Sequence, residues 1–225
     1  MIFDDKMQER VILDLSFLNS YRELEVYEDT PFRFKCVDEC RKDPRCCKGN
    51  VFLVPKDFST LAKHFNLSKK NFFQRYCNLF YAEPPGTIDG WYNVILKKSE
   101  NGYCIFLDIK NSIKFCSVHE NSKPYACMSY PVFAEPKNIY YMRLCPGVRT
   151  GDLYIVKEWV ERNKGIDFYN GMHSIIKNQT IPFMGDFKHL LRLIRKKGMK
   201  KAKKLKHGIK IGQQKIIMEM FEIKI

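Results

Sequence analysis

The chain has 225 residues, 45% of them apolar and 14% aromatic, enough to bury one domain with extensions or two small ones. No apolar run approaches the roughly eighteen residues that a membrane-spanning helix needs, which excludes an integral helical membrane protein. The net charge is +14, but it is unevenly spread. Lys188, Arg192, Arg195, Lys196, Lys197, Lys200, Lys201, Lys203, Lys204, Lys206, Lys210 and Lys215 follow one another with no acid between them, so the basicity belongs to a tail.

The start of the chain, MIFDDKMQERVILDLSFL, places acids and Arg10 ahead of a short apolar stretch, which is not a signal-peptide layout, and we expect a cytoplasmic protein. Residues 1–31 read as an N-terminal extension with one short ordered segment, Val11 to Leu18. Residues 32–150 hold all nine cysteines. Within them, Val51-Phe52-Leu53-Val54 predicts a short buried strand. Pro55 suits the first turn of a helix, where its missing N–H costs nothing, and Phe58, Leu61, Ala62 and Phe65 recur at helical spacing. Ser68 can cap a second helix that turns Phe72, Phe73 and Tyr76 toward the core. Glu83-Pro84-Pro85-Gly86 breaks the chain.

A hairpin is expected next, with Cys104–Leu107 and Ile113–Cys116 flanking a polar turn from Asp108 to Ser112. Asp108 shapes that turn in this reading. After it the chain is irregular, punctuated by Pro124, Pro131, Pro136 and Pro146, with a further strand at Tyr140–Leu144. From Asp152 the pattern is helical through Leu153, Val156, Trp159 and Val160, and Gly165 ends it. We therefore expect a helical extension over 151–186 and a basic amphipathic helical tail over 187–225, where Phe187, Leu191, Ile194, Ala202, Leu205 and Ile209 line an otherwise cationic helix.

Cysteine usage carries the chemistry. In a reducing compartment clustered cysteines are more often metal ligands or redox groups than disulfides. Cys36, Cys40, Cys46 and Cys47 fall within twelve positions, and a soft or borderline metal prefers thiolate ligands from such a short loop. Cys104, Cys116, Cys127 and Cys145 form a second set, each beside a strand end or a proline-rich bend. These eight residues are the candidate ligands. They leave open two tetrahedral zinc sites, one iron–sulfur cluster such as a 4Fe-4S with spare cysteines, or a single site with buried structural thiols. Cys77, at the end of an aromatic-rich segment, reads instead as a buried hydrophobe. His119, three positions after Cys116, is a weaker candidate for a mixed Cys/His site.

The series Phe34-Lys35-Cys36, Cys40, Cys46-Cys47, VFLVPKDFSTLAKHFNLS, Cys104-Ile-Phe-Leu-Asp108, Cys116-Ser-Val-His-Glu120, Lys123-Pro-Tyr-Ala-Cys127, Tyr130-Pro131 and Cys145-Pro146-Gly147 resembles the YkgJ-like cysteine-cluster family, named for a CxxCxxCC motif. The resemblance covers roughly residues 32 to 151 and implies a zinc- or iron-chelating domain. It extends to the flagellin lysine N-methylases, larger proteins carrying a similar cluster. Two departures stand out. Three residues separate Cys36 from Cys40 and five separate Cys40 from Cys46, and Lys123-Pro124 replaces the family's Arg-Pro.

The expected fold is α+β, an irregular metal-centred domain of short strands and helices followed by the helical tail. Three functions compete: a zinc or iron chelator, an iron–sulfur-dependent group-transfer or redox enzyme acting on protein or RNA, and a nucleic-acid-associated protein with a structural metal domain. The tail bears on the last through nonspecific phosphate contacts. No glycine-rich nucleotide fingerprint follows a strand.

Overall fold

The computed structural model describes residues 23–37, 42–82, 90–110, 113–118, 122–134, 139–142, 145–179 and 199–224. Segment 11–18, Cys40, His119 and residues 187–198, all named above, lie outside them. The architecture is α+β, with short antiparallel strands and helices interleaved along the chain. The strands are β1 (Glu23–Val26), β2 (Pro31–Phe34), β3 (Phe52–Leu53), β4 (Cys77–Ala82), β5 (Trp91–Leu96), β6 (Leu107–Lys110), β7 (Ile113–Cys116), β8 (Val132–Ala134), β9 (Ile139–Met142) and β10 (Asp152–Ile155). The helices are α1 (Pro55–His64), α2 (Lys69–Tyr76), α3 (Tyr125–Ser129), α4 (Val156–Arg162), α5 (165–179) and α6 (Met199–Met220).

The helix starts follow their local signals. Pro55 opens α1, where Asp57 at the third position accepts the Val54 N–H. The Ser68 hydroxyl accepts the Asn71 N–H at the head of α2. Strands pair as β3-β5-β4, β1-β9-β8, β10-β2 and the β6-β7 hairpin, all antiparallel. β3 spans only part of β5, leaving Tyr92 without a strand partner on that side. Gln179 at the end of α5 takes its place, accepting the Tyr92 N–H at 2.7 Å and donating to the Tyr92 carbonyl at 2.8 Å. A side-chain amide thus replaces a missing strand partner, which keeps a buried backbone pair satisfied.

Two apolar cores result. The larger joins Leu53, Phe58, Leu61, Phe72, Val94, Leu96, Ile175, Ile217 and Phe221. The Phe58 ring meets Phe72 and Phe221 edge-on, at 5.2 and 5.3 Å between centroids, a favoured aromatic geometry. The smaller collects Phe32, Val132, Met142, Cys145, Val148, Val156, Trp159 and Val160. The Trp159 indole N–H donates to the Ser129 carbonyl at 2.9 Å, tying α4 to the end of α3.

Several elements differ from the reading above. The expected helix from Asp152 begins as β10, which pairs with β2, so Leu153 faces solvent at 57% exposure instead of the core. Pairing with a strand more than a hundred residues earlier overrides the local helical pattern. Gly165 does not end a helix; it opens α5, where a Cβ would press on Val160. The first hairpin strand begins at Leu107, because Cys104 instead bridges to Lys98. Strands β4 and β5 carry apolar residues on both faces and show no period-2 alternation, which hid them.

Candidate metal centre

Apart from Cys127, the described candidate cysteines sit on irregular or terminal pieces of backbone. Cys36 follows β2 and is exposed. Cys46 and Cys47 occupy a single 3-10 turn, Arg45–Cys47. Cys104 is buried in the loop before the hairpin, Cys116 ends β7, Cys127 lies in α3, and Cys145 enters the turn before β10. Cys104, Cys116 and Cys127 belong to or pack against the larger core, and Cys145 belongs to the smaller. The described candidate thiols are thus divided between the two cores.

The turn carrying Cys46 and Cys47 is fastened from several sides. The Cys104 N–H donates to the Cys47 carbonyl at 2.7 Å. Asp43 accepts the Tyr103 hydroxyl at 2.6 Å and the Lys48 ammonium at 3.0 Å. Lys114 of β7 donates to the Lys42 carbonyl at 2.7 Å and to the Tyr103 hydroxyl at 3.3 Å. Both Lys48 and Lys114 lie over the Tyr103 ring. Hydrogen bonds from Lys48 and then Tyr103 hold the Asp43 carboxyl below its ordinary range. This polar network presses the early turn against the loop and hairpin that carry Cys104 and Cys116.

The other side is built by glycine. Lys35 N–H donates to the Gly147 carbonyl at 3.1 Å and Arg149 N–H to the Arg33 carbonyl at 2.8 Å. A Cβ on Gly147 would collide with the Lys35 carbonyl, so this close approach requires glycine after Cys145-Pro146. The end of β2, and with it Cys36, is thereby held against the Cys145 turn.

The thiols act on one another electrostatically in a defined pattern. Cys127 feels Cys104, Cys46 and Cys116, Cys104 feels Cys116 and Cys46, Cys116 and Cys145 each feel Cys46, and Cys46 feels Cys47. Cys46, Cys104, Cys116, Cys127 and Cys145 are all pushed toward the protonated form. The Cys46 thiol is pushed up first by its hydrogen bond to Cys47, then by burial. Its residue is exposed at the surface, yet protein surrounds the sulfur itself. Burial pushes Cys104 up to about 11 and raises Cys116, Cys127 and Cys145.

Opposing burial are donors aimed at sulfur. The N–H of Phe106 points to Cys104, that of Val118 to Cys116 and that of Gly147 to Cys145, each two residues on; Cys145 also receives the Val148 N–H and the Tyr130 hydroxyl. Lys123 adds a positive charge near Cys46, Cys116 and Cys127. Backbone N–H groups and a cation directed at sulfur favour thiolate over thiol, the form a metal needs.

Among the described residues, no three His, Cys, Asp or Glu side chains converge tightly enough, as placed, to hold one ion. The four interacting thiols are neighbours and not a closed ligand set. Neutral thiols gain nothing by crowding to the spacing that bonds of about 2.3 Å to a common ion impose. The donor chemistry suits zinc or iron.

Cys77 is 2% exposed, and none of the other thiols acts on it; burial alone raises it. Asp57 was not singled out above. Besides the Val54 N–H, its buried carboxylate accepts the Tyr125 N–H at 3.0 Å, so it anchors the head of the short helix that carries Cys127. The only sequence clue was its place as third residue of α1, and that concerns capping alone.

A family model described as "CxxCxxCC: Putative zinc- or iron-chelating domain" matches residues 35–146, a span that includes all eight candidate cysteines. No curated protein and no solved structure matches the chain.

Proposed function

Since residues 35–146 match the CxxCxxCC family model, we propose that the chain binds zinc or iron through Cys46, Cys104, Cys116 and Cys127, with Cys36, Cys40, Cys47 and Cys145 as further candidate ligands. The observation that carries this reading is geometric: the Cys104 N–H donates to the Cys47 carbonyl at 2.7 Å and Leu107 pairs with Cys116, which brings the Cys46–Cys47 turn, the Cys104 loop and the end of β7 together, reinforced by N–H donors directed at Cys104 and Cys116. A bound ion would supply positive charge that turns four buried thiols into stable thiolates. The chain's own contribution is to bring sulfur from four separate segments to one place, exclude most water and hold Lys123 against the excess negative charge.

The test is anaerobic purification, elemental analysis and thiol titration. One equivalent of zinc or iron is expected, lost when any of Cys46, Cys104, Cys116 or Cys127 becomes serine and kept in Cys77→Ser. A metal-free preparation with every thiol freely titratable would overturn the proposal. A second reading is an iron–sulfur cluster with group-transfer or redox chemistry. It is favoured by Cys145, a fifth thiol beside Cys46 with three donors of its own, more sulfur than one tetrahedral ion takes. A brown preparation with matching iron and sulfide supports it; a colourless zinc protein rejects it.

A further inference from the structure

We infer that the outer edge of β7 takes up an extended, acidic segment of a partner protein as an added strand. This stands apart from the metal reading, although the added strand would run beside Cys116. Among the described residues β7 pairs with β6 alone, along one side. The Ser117 N–H donates to the Phe106 carbonyl at 2.9 Å, which fixes the alternation of the ladder. Ile113 and Phe115 turn their backbone groups toward β6, and Lys114 and Cys116 turn theirs outward.

The two edges of this hairpin are not alike. On β6 the outward N–H groups are occupied, that of Leu107 by the Cys104 carbonyl at 2.9 Å and that of Ile109 by the adjoining Asp108 carboxylate at 2.9 Å. On β7 the outward N–H groups of Lys114 and Cys116 have no hydrogen-bond partner among the described residues. The side chains favour the same edge. Ile113 and Phe115 are 48% and 41% exposed on one face of β7, and with Ile109 they make three of the seven large apolar side chains that the described residues leave exposed. Sheets ordinarily blunt an open edge with an outward charge. Here the edge lysine, Lys114, is turned inward to the Lys42 carbonyl and the Tyr103 hydroxyl.

The occupant follows from these features. N–H and carbonyl groups at strand spacing are matched by another main chain. Residues directly opposite in an antiparallel pair share a face. The added strand therefore sets apolar side chains opposite Ile113 and Phe115, while its hydrogen-bonded residues face the side of Lys114 and Cys116. That side is cationic. Lys123 acts on Cys116 as a positive charge, and the exposed Lys42 is tied through its carbonyl to Lys114. Among the described residues neither Lys42 nor Lys123 is in an ion pair, and Asp43 is already engaged by Lys48 and Tyr103. A segment alternating acidic and apolar residues fits both faces. A second copy of this chain fits worse: two-fold pairing of β7 with itself keeps both Lys114 faces on one side and brings two cationic turns together.

The probe is a short capped peptide alternating glutamate and valine, added to the full chain and followed by calorimetry and amide hydrogen exchange. It should bind and slow exchange at Lys114 and Cys116. N-methylation of its glutamates, which removes the N–H groups facing β7, should abolish binding. N-methylation of its valines, whose N–H groups face solvent, should not. Ile113→Ser/Phe115→Ser should weaken binding roughly tenfold, whereas Ile211→Ser, at an exposed position of α6, should leave it unchanged, with both melting like the wild type. If the double variant fails to fold, the two methylated peptides decide the matter on the wild type. A peptide alternating lysine and valine should bind more weakly. No binding of the glutamate peptide, equal binding of the two methylated forms, equal binding of the lysine peptide, or protection of those amides through self-association of the chain overturns the assignment.

Discussion

Asp57 offers the sharpest test of how the centre is held. Its carboxylate is 4% exposed and accepts two backbone N–H groups, Val54 at 3.3 Å and Tyr125 at 3.0 Å. Burial pushes its pKa from 3.8 up to about 7, opposed by those two amides and then by Lys56. The folded chain thus holds the proton more tightly than the unfolded chain does. Stability from this group is greatest below pH 3.8 and declines as pH rises toward 7, by about 4 kcal/mol in all. Asp57→Asn keeps the shape, removes the titration and leaves one backbone N–H facing an amide NH2, a cost of about 1–3 kcal/mol at low pH. Denaturant unfolding followed through Trp91 and Trp159 should show that cost in full only below pH 3.8. About 1.7 kcal/mol of it is offset by pH 5 and about 2.6 kcal/mol more by pH 8, where the variant is more stable than the wild type by about 1–3 kcal/mol. Taking the difference between wild type and variant cancels the pH dependence of the thiols. A cost that stays constant from pH 5 to 8 would refute the argument, since the amides would then be outweighing burial throughout. If Asp57 also places Cys127, Asp57→Ala should weaken metal retention while Asp57→Asn largely preserves it.

Other expectations follow from the same geometry. Gln179→Ala strands a buried N–H and carbonyl of Tyr92 and should cost about 1–3 kcal/mol per unmet group in denaturant unfolding. Removing metal with a chelator should destabilise the chain by up to roughly 10 kcal/mol, with hydrogen exchange rising first around Cys46, Cys104, Cys116 and Cys127. Cys77→Ser buries a hydroxyl where a thiol packed and should cost about 1–3 kcal/mol without changing metal content. Tyr103→Phe removes the hydroxyl shared by Asp43 and Lys114; it should speed metal loss while leaving the melting of the larger core unchanged, measured by chelator competition and calorimetry.

Much of the local structure was legible from residue order. Pro55 and Ser68 announce the starts of α1 and α2, and Phe58, Leu61 and Phe72 mark their buried faces, because caps and 3.6-residue periodicity act over a few neighbours. Residue type also names the thiols as candidate ligands, since sulfur chemistry travels with it. Strand β10 was not, because its partner β2 lies over a hundred residues away and only that pairing outweighs a helical pattern. Nor was the joint role of Asp57, whose second partner, Tyr125, is sixty-eight positions distant.

Residue order alone settles that nine cysteines and a cationic run near the end of the sequence exist, along with the caps that begin α1 and α2. Only the folded chain decides that the Cys104 loop meets the Cys46–Cys47 turn, that Cys77 is buried in the larger core, and which side of residues 208–220 of α6 faces water. The reason is physical. Caps and periodicity are short-range preferences written in adjacent residues, whereas meeting of remote thiols and covering of an apolar stripe are outcomes of packing the whole core.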